Sequence, residues 1–253
     1  MYAEERQALI LDRARTAGRV ENSELADLLD VTAETIRRDL KQLESLGHLK
    51  RVHGGAIPVE RLTQEVPVAA RREEMATEKE RIAKTALDFV PGGGAILIDA
   101  GTTTARFAQL LPDDRDLTVV THAIDIAATL VDRPRITPLV LGGRLRQRTL
   151  AAVGSWTERM LAELHVDVAF VATNGVSVER GLTTPDGDEA AVKRAAVAAA
   201  RRTVLLADHS KVGVDHLVRF ATLDQIDTFV TDTGLDVADR DGFEAAGIQV
   251  VTA

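Results

Sequence analysis

The sequence contains no cysteine, which excludes disulfide scaffolds and thiolate-held zinc and is compatible with a reducing cytosol. It has no apolar run near the ~20 residues that a membrane-spanning helix needs. Its opening residues, Met1 to Arg6, lack the apolar centre of a secretory signal. A cytoplasmic location with no membrane partner is the expectation. The glycine triplet Gly92 to Gly94 precedes an apolar run rather than following one, so it is no dinucleotide loop, and neither cofactor nor metal is expected. Internal repeats and low-complexity tracts are absent. A basic excess is missing too: the net charge of −8 argues mildly against nucleic acid. What is present is 253 residues, 45% of them hydrophobic, enough for one or two packed domains.

The charge is unevenly spread. In the first segment acidic residues gather at Glu4, Glu5, Glu21, Glu24 and Asp27, and basic ones at Arg37, Arg38, Lys41, Lys50 and Arg51. Residues 3–17 are expected to form a helix stopping at Gly18. A second, shorter helix has Asn22 or Ser23 as its cap and Leu25, Leu28 and Leu29 as its apolar side. A tight turn, Leu29 to Thr32, leads to a third. There Thr32 is placed to cap, while Ile36, Leu40 and Leu43 recur at helical spacing. The remaining face carries Thr35, Arg37, Arg38, Lys41 and Gln42, residue types that contact phosphates and base edges. This order is that of a helix-turn-helix with the later helix as recognition helix. Gly47 to Gly55 then alternates apolar and basic residues and closes on two glycines. It reads as a two-stranded wing, with Lys50, Arg51 and His53 placed to reach the duplex backbone. Asp39 is expected to be structural, paired with a neighbouring arginine. A small basic face on an acidic body suits weak binding by one copy, and more phosphate contacts by two copies on a paired site.

With these residues in place, a family resemblance is visible. Thr32-x-x-Thr35-Ile36-Arg37-Arg38-Asp39-Leu40, followed by Arg51-x-His53-Gly54-Gly55-Ala56, resembles the N-terminal domain of DeoR-type transcriptional regulators.

Residues 58–76 are polar, carry Pro58 and Pro67, and are taken as a linker between a DNA-binding domain (1–57) and a second domain (77–253). Thr77 to Glu80 reads as a capping box opening a helix with Ile82, Ala86 and Phe89, and Ser155 to Glu158 as another. Apolar runs at 95–99, 117–121, 137–141, 166–172, 203–208, 228–231 and 248–251 alternate with amphipathic stretches. The fold class is therefore α/β, a mostly parallel sheet covered on both faces, with unreadable strand order.

In such sheets ligands sit at the carboxyl ends of strands. Those ends collect Asp99, Gly101, Thr102, Thr103 and Thr104; His122; Gly142 and Gly143; Asn174 and Gly175; and Asp208 with Lys211. Asp186 and Glu189 stand ahead of a further helix, followed by Lys193 and Arg194. A glycine, hydroxyls and a helix start form a phosphate cradle, unless the threonines merely cap the helix. The set suits a phosphorylated polyol, with lysine and threonines on the phosphate and Asp and Asn on hydroxyls. Plainer readings stay open: Asp186 and Glu189 as a capping pair, Lys211 solvated, His122 as a helix cap.

These stretches also resemble the effector domain of the DeoR family, similar in fold to ribose-5-phosphate isomerases and CoA transferases. The family's Asp-x-Gly-Thr-Thr loop falls on Asp99 to Thr103, its Gly-Gly-x-Leu motif on Gly142 to Leu145, its Asp-x-x-Glu-Ala motif on Asp186 to Ala190, and Asp-x-Ser-Lys on Asp208 to Lys211. His122 stands where many members carry Asn. The resemblance implies a regulator, a repressor released from operator DNA by a phosphorylated sugar, and not an enzyme; because helix-turn-helix proteins usually read paired half-sites, a homodimer or homotetramer is expected. The alternative is a sugar-phosphate isomerase with an accessory DNA domain, using Asp99, Asp186, Glu189, Asp208 and Lys211.

Overall fold

The computed structural model describes residues 3–45, 48–58 and 68–253, which divide into two units, Met1–Gln64 and Glu65–Ala253. The first contains α1 (Ala3–Ala17), β1 (Val20–Glu21), α2 (Asn22–Leu29), α3 (Ala33–Ser45), β2 (Leu49–Val52) and β3 (Gly55–Pro58). Ile10, Ala14, Leu25, Ile36, Leu40, Leu43 and Leu49 close a single core. Asp30 ends α2 in the left-handed region at φ 49°, a conformation its short polar side chain tolerates. Thr32 accepts from the Thr35 N–H at 3.2 Å, so α3 starts as expected.

Two expectations change here. No side chain caps α2; its first amide, that of Asn22, donates instead to the Gly54 carbonyl at 2.8 Å. A tertiary partner has replaced the local cap. The wing is also not merely two strands: β1 adds to the β2–β3 hairpin, giving the antiparallel order β1-β3-β2. Gly55 permits this, because a Cβ there would stand 1.8 Å from the Val20 carbonyl oxygen. Gly47 lies outside the described residues.

The second unit opens with α4 (Val68–Arg71) and α5 (Ala76–Ala86), then β4 (Gly94–Ile98), α6 (Thr102–Gln109), β5 (Leu117–Thr121), α7 (Ile124–Leu130) and β6 (Ile136–Val140). A hairpin, β7 (Arg144–Arg146) and β8 (Ala151–Val153), leads to α8 (Ser155–Ala162) and β9 (Val168–Val171). Next come β10 (Gly175–Ser177), β11 (Gly181–Thr184), α9 (Gly187–Ala198), β12 (Thr203–Leu206), β13 (Val218–Ala221), β14 (Thr228–Thr231), α10 (Val237–Ala245) and β15 (Gln249–Thr252). All seven apolar runs become strands of one parallel sheet, ordered β15-β14-β12-β9-β4-β5-β6.

Successive side chains on a strand point to opposite faces, and the core divides accordingly. Ile96, Ile98, Val119, Phe170 and Val204 pack with α5, α6 and α7. Leu97, Val120, Ala169, Leu205 and Phe229 pack with α8, α9 and α10. Phe107 meets Phe170 at 4.3 Å on one side, and Phe229 meets Phe243 edge-on at 5.3 Å on the other. Each such ring contributes on the order of 1.5–3 kcal/mol of burial.

A smaller antiparallel sheet, β10-β11-β13, stands beside the main one. Neither capping box forms. α5 starts at Ala76 after Met75 in the left-handed region, so Thr77 is already helical. α8 follows Gly154 at φ 97°, which makes Ser155 its first residue. Of the stretch expected as linker, Pro58 belongs to β3, residues 59–67 lie outside the described residues, and Val68–Arg71 is helical.

Candidate functional site

On α3 the polar face matches the one read from the sequence. Thr32, Arg37, Arg38 and Lys41 are exposed and Thr35 is half-buried, while Ile36, Leu40 and Leu43 are buried. Arg37 pairs with Glu34 at 3.0 Å with both side chains largely exposed. Arg38 and Lys41 make no ion pair among the described residues. Asp39 faces inward: Arg6 of α1 donates to it at 2.5 Å and Gln7 at 3.0 Å. This bond raises the Arg6 guanidinium further above its ordinary range. Asp39 is thus structural as expected, with its arginine supplied by another helix. On the wing, Lys50 is half-buried and His53 exposed. Arg51 is held by Glu44 through both its side chain (2.7 Å) and its N–H (2.9 Å), and the latter bond is the main cause that lowers the Glu44 carboxyl.

In the second unit, strand order reverses between β4 and β9, with β5-β6 on one side and β12-β14-β15 on the other. Open α/β sheets hold ligands outside the carboxyl ends at such a point. Asp99, the residue after β4, is fully buried there. One oxygen accepts from Lys193 Nζ at 2.5 Å and from the Ala172 N–H at 2.9 Å; the other lies 3.0 Å from His122 Nε2. Burial alone pushes this carboxyl up. The Lys193 ammonium and His122 outweigh that and hold it at about 2. His122 is 3% exposed, and its Nδ1 lies 2.9 Å from the Ala152 carbonyl, which can only accept. Both ring nitrogens therefore serve the protein, and the ring does not cap α7, which begins after Ala123 without a side-chain cap.

The loop after Asp99 passes against β9: a Cβ on Gly101 would stand 2.7 Å from Ala172 Cβ. α6 begins at Thr102 after Gly101, with no capping side chain, and its first amides make no hydrogen bond among the described residues. Thr104 spends its hydroxyl on the Gly101 carbonyl at 3.0 Å. Thr102 and Thr103 make no side-chain hydrogen bond among the described residues.

A second cluster surrounds the start of α9. Asp186 caps it by accepting from the Glu189 N–H at 2.9 Å, so half of the capping pair forms. Glu189 does not return the bond. Its buried carboxylate meets Arg146 of β7 at 3.3 Å, and Arg146 also meets Asp186 at 3.2 Å. Thr184 donates to Asn174 Oδ1 at 3.0 Å and lies 3.4 Å from Glu189. Gly142 and Gly143 are exposed where the chain leaves β6, whereas Gly175 is buried in β10 with its carbonyl taken by Thr173 and Thr183.

At the end of β12, buried Asp208 caps the turn His209–Lys211 through the Ser210 N–H at 3.1 Å. Lys211 is half-buried and makes no ion pair among the described residues. Nearby Lys79 is buried and donates to the Arg71 and Glu74 carbonyls, both at 2.6 Å. Burial lowers its ammonium to about 8, with Asp208 opposing and Lys211 adding to the shift.

Sequence reasoning passed over Arg146 and Lys79 and left Lys193 without a role. Only the last had a signal: it follows Glu189 by four residues, one helical turn along the same face. No cluster of three metal-ligating side chains occurs among the described residues, and none of their helices is long and apolar enough to cross a membrane.

Residues 6–61 match the sequence profile of the DeoR-like helix-turn-helix domain, and residues 74–233 that of the DeoR C terminal sensor domain. The HTH-type transcriptional regulator GlpR of Haloferax volcanii is 40% identical over 227 residues, covering 90% of this chain and 89% of that protein. The HTH-type transcriptional repressor GlcR of Bacillus subtilis is 34% identical over 250 residues, covering 96% of each. Among solved structures, a probable sor operon regulator from Shigella flexneri superposes with TM-score 0.45 at 11% identity, over 80% of this chain and 97% of that one. Ribose 5-phosphate isomerase A of Methanocaldococcus jannaschii gives TM-score 0.42 at 19% identity over 55% of each chain.

Proposed function

We propose, since the chain belongs to the DeoR family of helix-turn-helix transcriptional regulators, that it is a repressor of carbohydrate-catabolism genes, released from its operator by a phosphorylated sugar. Residues 1–57 are the DNA-binding domain, 77–253 the effector domain and 58–76 their connection. On the DNA side, Thr32, Thr35, Arg37, Arg38 and Lys41 meet the major groove, and Lys50, Arg51 and His53 the backbone. The observation that carries the effector half is the switch point itself. Two unspent threonine hydroxyls and the open amides of α6 stand there together, the donor set a phosphate needs. Lys211 supplies a cation, and Asn174, Asp186 and Glu189 take sugar hydroxyls. Asp99 and His122 hold this site from beneath.

An isomerase would need a carboxylate able to take a proton near neutral pH. Asp99, at about 2 and enclosed by donors, is a poor base, and both curated relatives above are named as regulators. Coupling is by linkage: the phosphosugar favours an arrangement in which two copies fit a paired operator badly. A coupling of about 1–3 kcal/mol shifts DNA affinity roughly 5–150-fold. The protein is cytoplasmic and acts as a homodimer or homotetramer.

The test is a thermal-shift screen of the full chain against phosphosugars and their unphosphorylated parents. At 100 times its dissociation constant the right phosphosugar stabilises by ~2.7 kcal/mol, and its parent does much less. Thr102→Val and Lys211→Ala retain DNA binding and lose the shift. Equal shifts for phosphosugar and parent would remove the phosphate assignment.

A further inference from the structure

The β7–β8 hairpin touches three things at once. At one end Arg146 holds Asp186 and Glu189. Along β8, Ala152 exchanges two bonds with His122, its N–H donating to the His122 carbonyl at 2.8 Å and its carbonyl accepting from the ring at 2.9 Å. Through His122 the hairpin reaches Asp99. At the turn between the strands, the Arg148 carbonyl accepts from the Val68 N–H at 2.9 Å. Val68 is the buried first residue of α4 and stands where the described part of this unit begins.

The segment that follows is tied down repeatedly. Arg72 pairs with Asp125 at 3.0 Å, and its carbonyl accepts from Arg106 at 3.2 Å. Lys79 gathers the Arg71 and Glu74 carbonyls. In this unit the non-glycine residues with left-handed backbone, among those described, are Met75 (φ 50°) and Leu150 (φ 57°). One closes the segment and the other closes the hairpin turn, where its N–H donates to the Arg146 carbonyl at 2.8 Å. Such conformations persist only where the surroundings hold them and gather at sites that switch.

We propose that this hairpin is the arm by which occupancy of the effector site reaches the connection to the DNA-binding unit, with Arg146 as its sensing residue and the Arg148 carbonyl as its output. The inference rests on the phosphosugar reading of the site. In the state described, the guanidinium is held by two carboxylates. A bound phosphosugar occupies Asp186 and Glu189 with its hydroxyls and so competes with the planar fork of Arg146 for the same carboxylate oxygens. Arg146 gives up these partners, the hairpin turn moves with it, and Val68 loses its acceptor. Arg146 is thereby a sensing contact, and Arg148 and Val68 are positioning residues acting through main chain alone.

Trypsin cleavage after Arg71 and Arg72 in the full chain reads release of this segment directly. Val68→Pro removes the donor, and proline is accepted at the first position of a helix. Arg146→Gln removes the ion pairs. Losing one such hold opens the segment roughly three- to tenfold more often, so each variant is cut faster by that factor. Hexose 1- and 6-phosphates are then added, each beside its parent hexose. A phosphosugar that raises the thermal midpoint should speed cleavage of the wild-type chain. Val68→Pro should already bind DNA more weakly than wild type without sugar, and the phosphosugar should still raise its midpoint but neither speed cleavage nor weaken DNA binding further. A folded Arg146→Gln cut at the wild-type rate would overturn the arm, as would a Val68→Pro chain released from DNA as readily as wild type. If no phosphosugar raises the wild-type midpoint, the effector reading is what fails; the cleavage rates of the two variants without sugar still decide whether hairpin and segment are coupled. Should Arg146→Gln not fold, Val68→Pro carries the test.

Discussion

The charges of α3 and those at the strand ends of the second unit are organised in opposite ways. Arg37, Arg38 and Lys41 stand in water, one in an exposed pair and two with no ion partner among the described residues. Asp99, Lys193 and Glu189 are buried and each is bonded to the protein on more than one side. A face that meets a polyanion gains by keeping its cations solvated, because phosphates then replace condensed counterions rather than protein partners. A crevice that holds a small polar molecule gains by fixing its charges beforehand, because in low dielectric an unfixed charge is costly. Mutations should therefore damage binding on the first surface and stability on the second.

The largest effect is expected at the buried pair. Lys193→Met leaves the buried Asp99 charge with only His122 and the Ala172 N–H to hold it, at a cost of ~3–5 kcal/mol, measurable by denaturant unfolding. Adding Asp99→Asn to that variant should recover much of the loss. If Lys193→Met costs under ~1 kcal/mol, the contrast breaks. Acid titration follows the same logic. The folded Asp99 carboxyl sits at about 2, below its ordinary 3.8, so its contribution of roughly 2 kcal/mol is complete above pH ~4 and lost as pH falls toward 2. Asp99→Asn should flatten that limb. Lys79 acts at the other end. With its folded value lowered from 10.5 to about 8, stability should rise between those two values as the buried ammonium deprotonates, and Lys79→Met should abolish the rise.

Arg38→Ala should weaken operator binding by ~1–3 kcal/mol if it reads a base, or flatten the salt slope if it meets a phosphate. Its melting curve should not move. Thr32→Ala sharpens the comparison from within α3, since this residue caps the helix and its loss costs ~1 kcal/mol of stability besides any DNA contact. The smallest effect belongs to Glu34→Ala. The exposed pair with Arg37 contributes ~0.3–0.5 kcal/mol, and freeing Arg37 should tighten DNA binding slightly at low salt.

How much of this was legible depended on whether the signal was local. Short apolar runs alternating with helical stretches located all seven parallel strands, because burial on both faces forces such runs in the central strands, while the edge strands β6 and β15 kept the apolar residues but not the burial. The Thr32 cap and the α3 stripe were legible for the same reason. Asn22 failed as a cap because Gly54, thirty-two residues on, supplies an acceptor that no local pattern encodes. β7, β8 and β10 are three residues each, too short for a period to show. The strand ends were identified, but their division of labour was not. Residue type alone did not tell that His122 turns both nitrogens inward, or that Arg146 rather than Arg144 reaches Glu189. Both depend on which side chain the three-dimensional fold sets opposite.

The most direct measurement is the affinity of the full chain for its selected operator duplex, titrated with the phosphosugar that raises its thermal midpoint, in wild type and Thr102→Val. Wild-type affinity should fall between 5- and 150-fold, while Thr102→Val binds the duplex equally well and does not respond. A response of the same size in both would take the phosphate away from the start of α6 and with it the assignment of the switch point as the effector site.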